Sequence, residues 1–171
     1  MKIIRTQIQG LLVFKSKKFD DHRGYFREVL IEKKVKRKFK FNVVSMSKKN
    51  VIRGLHFQKG KPQAKFISVV KGKIIDVAVD IRKKSKTYGK HFKILLSDKN
   101  CTSLYIPEGF AHGFGGLDKE NIVVYSCTNY RYKKGERGIL WKDKSLKINW
   151  IIKKPIISLK DKKNKAFKEY K

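Results

Sequence analysis

Acidic residues are scarce in this chain: 14 Asp and Glu stand against 44 Lys and Arg over 171 residues, a formal net charge of +30. Long apolar runs are missing as well. The longest uninterrupted ones span only a few residues, far short of the roughly 20 needed to cross a bilayer as a helix. The opening Met1-Lys2-Ile3-Ile4-Arg5-Thr6-Gln7 lacks the apolar core and small-residue cleavage site of a signal peptide. Cysteine is limited to Cys101 and Cys127, far apart and each in strand-like apolar context. That usage reads as two buried free thiols in a reducing compartment rather than a disulfide framework. The expectation is a cytoplasmic protein without a membrane segment. A length of 171 residues fits one domain over residues 1–171, large enough to bury a core without covalent staples.

A strongly basic chain invites a nucleic-acid partner, because neutralising phosphates releases counterions. The distribution argues against it. The excess is nearly all lysine, spread as pairs such as Lys17-Lys18, Lys48-Lys49, Lys83-Lys84 and Lys133-Lys134. Base readers and single-strand binders concentrate arginine and aromatic platforms on one face, and no such cluster occurs. A lysine-coated surface that helps attract a polyanionic small molecule is the simpler reading; a non-catalytic polyanion-binding module is the competing one.

What is present in quantity is short β-rich runs with turns between them. They are Gly10 to Phe14, Tyr25 to Ile31, Val43 to Ser47, Val51 to Phe57, Lys65 to Val70, Lys73 to Ile81, His91 to Leu96, Cys101 to Ile106 and Asn121 to Asn129. Lys71-Gly72 is a tight-turn dipeptide. Ile75, Val77 and Val79 alternate with Asp76, Ala78 and Asp80, the period of a strand with two different faces. Only Glu32 to Phe39, and the far C-terminus, read as helical. The pattern predicts an all-β sandwich or jelly roll with a few short helices. The lysine-rich tail, 153–171, is expected to be partly extended, its first part (Pro155-Ile156-Ile157-Ser158, Asp161) packing back onto the domain.

Four histidines allow a short audit. Pro107-Glu108-Gly109-Phe110-Ala111-His112 matches the second cupin motif, a turn that presents a histidine into a barrel. A metal site of that kind also needs a His-x-His pair and a glutamate from an earlier strand. The only earlier candidate is His56-Phe57-Gln58, with glutamine in place of the second histidine. The cavity is therefore expected to hold no metal and no other cofactor. Within Arg53-Gly54-Leu55-His56-Phe57-Gln58, residues 54, 56 and 58 share one strand face, and Arg53 joins it only if the strand bulges at Gly54.

Asp21-x-Arg23-Gly24-x-Phe26-x-Glu28, Arg53-Gly54-Leu55-His56-x-Gln58, Gln63-Ala64-Lys65, Asp76-Val77-Ala78-Val79-Asp80-x-Arg82, Thr87-Tyr88-Gly89, Ile106 to Phe114, Leu140-Trp141-x-Asp143 and Ser158-Leu159-Lys160-Asp161 follow in that order. The ordered set, from about residue 10 to 161, resembles the thymidine-diphosphate 4-keto-6-deoxyglucose 3,5-epimerase family. The resemblance implies a cupin-type jelly-roll barrel, a homodimer with exchanged N-terminal strands, and a nucleotide-diphosphate sugar as substrate. It implies His56 as general base oriented by Asp161, Tyr125 as general acid, and Lys65 at the enolate oxygen. It places Arg23, Glu28, Arg53, His112, Glu136 and Lys160 at the substrate. Read without the resemblance, Asp161 is equally a surface turn residue and Tyr125 a core residue. Glu28 and Glu136 then read as solvated carboxylates and Arg23 as a turn residue.

The chemistry agrees independently. Removing a proton next to a ketone creates an enolate, which asks for a base near neutral pKa and a cation or donors aimed at the developing oxyanion. Inversion then asks for an acid on the opposite face. The reaction is redox-neutral, so the lack of a dinucleotide glycine fingerprint costs nothing. One departure stands out: Phe41-Asn42-Val43-Val44 precedes Ser45-Met46-Ser47 where the family usually carries Gln-Asp-Asn. That leaves open a sibling acting on another dTDP- or GDP-linked 4-keto sugar, or inverting only one carbon.

Overall fold

The structure, a computed structural model, describes residues 1–170. The chain opens with β1 (Lys2–Arg5), β2 (Leu12–Lys15), β3 (Lys18–Asp21) and β4 (Gly24–Arg27), then a short helix α1 (Glu32–Val35). The body follows as β5 (Phe41–Lys48), β6 (Val51–Gln58), β7 (Lys65–Lys71), β8 (Lys73–Asp80) and β9 (His91–Ser97). It continues through β10 (Thr102–Ile106), β11 (Phe110–Gly116), β12 (Glu120–Cys127) and β13 (Glu136–Gly138). The C-terminal segment adds β14 (Ile156–Ile157) and α2 (Leu159–Lys162).

Two antiparallel sheets carry the molecule. One has the order β1-β2-β10-β7-β12-β5, the other β13-β6-β11-β8-β9, and β14 adds to β6 in parallel. Their inner faces enclose Val13, Ile67, Val69, Ile74, Ala78, Leu104, Phe114 and Val123, all buried. On β8 the period of two divides the residues as expected. Ile74 and Ala78 point between the sheets, while Ile75, Val77 and Val79 join a second apolar layer with Ile52, Leu55, Ile139 and Trp150. The C-terminal third of the chain covers that outer face, so both faces of β8 are dry. Each large apolar side chain removed from water in this way contributes roughly 1.5–3 kcal/mol. The arrangement is a jelly-roll β-barrel of cupin type.

The strand expectations hold for the body, and the differences have local causes. The expected helix Glu32 to Phe39 stops at Val35, because Lys36 adopts the left-handed conformation (φ 58°) and closes the turn. The run Tyr25 to Ile31 ends at Arg27, where its hairpin partner β3 runs out. Cys101 lies in a turn with φ 49° rather than in a strand, and both cysteines are buried and free. Strand β11 was missed, since three glycines in seven residues read as loop. The packing requires two of them: a Cβ on Gly113 would sit 2.7 Å from the Arg53 carbonyl oxygen, and one on Gly116 2.7 Å from that of Lys48. Among the described residues no helix is long and apolar enough to cross a membrane.

Candidate active site

The inner faces of the sheets part at one end to form a cavity of about 780 Å3, within the range of small-molecule sites. The two walls come from different sheets. Strand β6 supplies Arg53 and His56, and β11 supplies His112. Opposite them, β7 supplies Lys65, β12 Tyr125 and Cys127, and β5 Phe41, Val43 and Ser45. The odd-numbered residues of β5 and β12 face inward, as a period of two demands.

Arg53 and His56 are three residues apart and would point to opposite faces of a regular strand. The expected bulge brings them together. His56 pairs with His112 and Arg53 with Phe114, so β6 spends three steps where β11 spends two. Gly54 sits in the bulge at φ 116°, and a Cβ there would lie 2.7 Å from both the Gly113 Cα and the His112 carbonyl oxygen. Only glycine fits. Arg53 is then held by Ser47 Oγ (Nε, 2.8 Å) and the Met46 carbonyl (3.0 Å).

His56 Nε2 lies 2.6 Å from Asp161 Oδ1. Asp161 is buried and reaches the site because β14 zips onto β6 and Ser158 caps α2, accepting the Asp161 backbone N–H at 3.0 Å. Burial pushes the Asp161 carboxyl upward. Hydrogen bonds from His56, the Gly54 N–H and Asn164 outweigh it and hold the group below the usual carboxylate range. The carboxylate therefore stays ionised and fixes the imidazole, leaving Nδ1 as the nitrogen free to take a proton.

Across the cavity the Tyr125 hydroxyl is 3.0 Å from Ser45 Oγ. Burial pushes its pKa far up, with the Ser45 hydrogen bond working the other way, so the phenol is protonated at neutral pH. Burial lowers the Lys65 pKa, opposed by Cys127, Asp76 and Glu136. His112 Nε2 meets Asp76 Oδ2 at 2.9 Å, both groups buried, and the second Asp76 oxygen has no partner among the described residues. At the rim Glu136 takes hydrogen bonds from Arg131 and Lys160, the latter at 3.1 Å. Arg131 chiefly, with Lys160, holds its carboxyl down to about 2 despite partial burial. No group of three His, Cys, Asp or Glu residues is placed to share a metal ion among the described residues.

Residues 5–169 match the family model described as dTDP-4-dehydrorhamnose 3,5-epimerase. A relative from Shigella flexneri with that name is 45% identical, over 98% of this chain and 96% of its own. The chain belongs to the dTDP-4-dehydrorhamnose 3,5-epimerase family.

Solved structures of family members have the same fold. The epimerase from Bacillus anthracis, solved with TDP and pyrophosphate bound, superposes with a TM-score of 0.93 at 38% identity, over 97% of this chain and 99% of that one. The dTDP-6-deoxy-D-glucose-3,5-epimerase of Legionella pneumophila, in complex with dTDP-4-keto-L-rhamnose, gives 0.93 at 37% identity, over 96% and 92%. Of the residues that the sequence marked in this epimerase-family chain, His56, Lys65, Tyr125, Asp161, Arg53, His112, Glu136 and Lys160 line one cavity. Arg23 and Glu28 do not. Arg23 is exposed on the β3–β4 hairpin and paired with Asp21, and Glu28 follows that hairpin. Asp76 and Ser45 were quoted within motifs without a role. An aspartate in the middle of a buried strand was the available signal for the first, since such a group persists only when paired.

Proposed function

We propose that this chain inverts carbons 3 and 5 of a nucleotide-diphospho-4-keto-6-deoxyhexose, dTDP-4-dehydro-6-deoxy-D-glucose in the first instance, by enolisation between two opposed groups. One observation carries the reading: His56–Asp161 stands on one sheet and Tyr125 with Lys65 on the other, with the cavity between them. A flat enolate held there meets a base on one face and an acid on the other. His56 Nδ1 takes the proton from the carbon next to the ketone. The C–H electron pair becomes the enolate double bond and the charge moves to the ketone oxygen, where the Lys65 ammonium offsets it. Tyr125 then returns a proton to the opposite face, and Ser45 steadies the phenolate. Asp161 stabilises the imidazolium that forms in between. Nothing in the step calls for a cofactor.

The relatives' names support the choice of sugar, and the Legionella structure's ligand supports a nucleotide sugar. The test is proton–deuterium exchange followed by NMR with the dTDP 4-keto sugar, carbons 3 and 5 read separately. Exchange and inversion at both carbons is expected. Exchange at one carbon alone would make this a single-carbon epimerase, and none at either would reject the proposal.

A homodimer belongs to the same reading. Phe19, Tyr25 and Phe26 on the β3–β4 hairpin are exposed, as are Val44 and Met46 on the outer face of β5. That much apolar surface on a basic protein fits a second copy, whose pocket would receive Arg23 and Glu28.

A further inference from the structure

Three side-chain and backbone donors converge on the Asp161 carboxylate. His56 Nε2 and Asn164 Nδ2 share its Oδ1, at 2.6 and 3.3 Å, and the Gly54 N–H donates to Oδ2 at 3.2 Å. Two of the three belong to β6. Asn164 comes from the other side, two residues beyond α2, and is not among the described residues that line the cavity.

The place of Asn164 is fixed from outside the cavity. Its neighbour Lys165 bridges Ile139, and the Lys165 carbonyl accepts the Leu140 N–H at 2.8 Å. Phe167 is buried, and its N–H donates to Asp143 Oδ2 at 2.7 Å. Beside Ile139 stands Gly138, the cross-strand partner of His56, whose carbonyl accepts the Tyr170 hydroxyl at 3.0 Å. Gly138 lies in β13 and has no left-handed backbone to demand glycine. Space demands it. A Cβ there would collide with Cγ, Oδ1 and Nδ2 of Asn164, its three nearest atoms. The missing side chain is the seat of the amide.

We propose that Asn164, seated against Gly138, is a positioning residue for the epimerisation: its amide locks the Asp161 carboxylate in the orientation that serves His56. The inference rests on the His56–Asp161 reading above. The terminal torsion of an aspartate is broad and weakly restrained on its own. A charge-assisted hydrogen bond from a third direction removes that freedom. Asn164 acts behind the carboxylate and away from the cavity, so it bears on turnover and not on substrate affinity.

The test measures kcat and KM by deuterium exchange with the dTDP 4-keto sugar in the full chain, Asn164→Ala, Asp161→Asn and the double variant. Asn164→Ala should lower kcat about tenfold and leave KM within about twofold. In the Asp161→Asn background it should lower kcat no further, because residues of one network do not add. Gly138→Ala should reproduce the kcat loss by displacing the amide, and Asn164→Ala added to it should cost nothing more. An unchanged kcat in Asn164→Ala would overturn the positioning role and leave the epimerase reading intact. So would a loss that persists in full on Asp161→Asn, which a merely structural residue would give. Parent turnover in Asp161→Asn would overturn both the positioning role and the His56–Asp161 reading beneath it.

Discussion

At the scale of single residues, the site is a division of labour between groups that the fold holds apart. His56, with Asp161 behind it, is the proposed base, so His56→Ala should abolish deuterium exchange at every sugar carbon. Tyr125→Phe should separate the two half-steps. Deuterium would still enter with retention, returned by His56 itself, while inverted product falls about 100-fold or more. Full inversion in that variant would move the acid's role to another group. Asp161→Asn keeps the shape but removes the charge proposed to stabilise the imidazolium. It should lower kcat on the order of 100-fold with little change in KM. Phe41 and Val43 are departures from the family's usual pattern, and both line the cavity.

At the scale of elements, the bulge in β6 decides whether the site exists. It turns Arg53 and His56 to the same side and depends on a residue without a side chain at Gly54. Gly54→Ala would need a backbone conformation that L side chains rarely adopt, and would press a methyl group onto β11. The expected cost is on the order of 3 kcal/mol, read as a lower urea midpoint with unchanged slope. Activity should fall further than stability does, because Arg53 and His56 shift with the bulge. If Gly54→Ala folds and turns over like the parent, the bulge is not what places these residues. The cap on α2 works in the same way on a smaller scale. Ser158→Ala should cost about 1 kcal/mol and lower kcat several-fold by loosening Asp161, an effect that rescue by Ser158→Thr would separate from general destabilisation.

At the scale of the whole molecule, charge sets the response to salt and acid. With a net charge of +30, general repulsion opposes the compact state. Raising salt from about 0.01 M to about 1 M shortens the screening length from about 30 to about 3 Å, and the melting temperature should rise by several degrees. A fall would mean that specific ion pairs outweigh the repulsion. Acid acts through depressed carboxylates. Asp80, Asp143 and Asp161 are each pushed up by burial but held below their ordinary range by hydrogen bonds, and Glu136 is held near 2 chiefly by Arg131. A folded pKa below the unfolded value of about 4 gives stability that is present above that pH and lost as pH falls through the folded values. Burial, with Lys93, lowers the His91 pKa, which adds a shallow loss below about pH 6.5. Denaturation midpoints against pH should show that shallow limb, then a steep one below pH 4 that Asp80→Asn flattens. Sedimentation at micromolar concentration should give a dimer, and a stable monomer would remove the account of Arg23 and Glu28.

Much of this was legible without coordinates, because strand alternation and turn residues are local properties. The Ile75-Val77-Val79 face, the Lys71-Gly72 turn and the ordered motifs around His56, His112 and Asp161 follow from sequence alone. The requirement for a bulge at Gly54 follows too, since two residues three apart cannot otherwise share a strand face. Other facts depend on which strands become neighbours. Asp161 meets His56 across 105 positions, and Asp76 meets His112 across 36. The Ser45–Tyr125 bond exists because β5 pairs with β12. Strand β11 was hidden by its glycines, and the close approaches of the Arg53 carbonyl to Gly113 and of the Lys48 carbonyl to Gly116 are tertiary facts. Sequence carries the chemistry each side chain offers. Which groups face each other across a cavity is decided by sheet order and register, and these are settled by the packing of the whole chain.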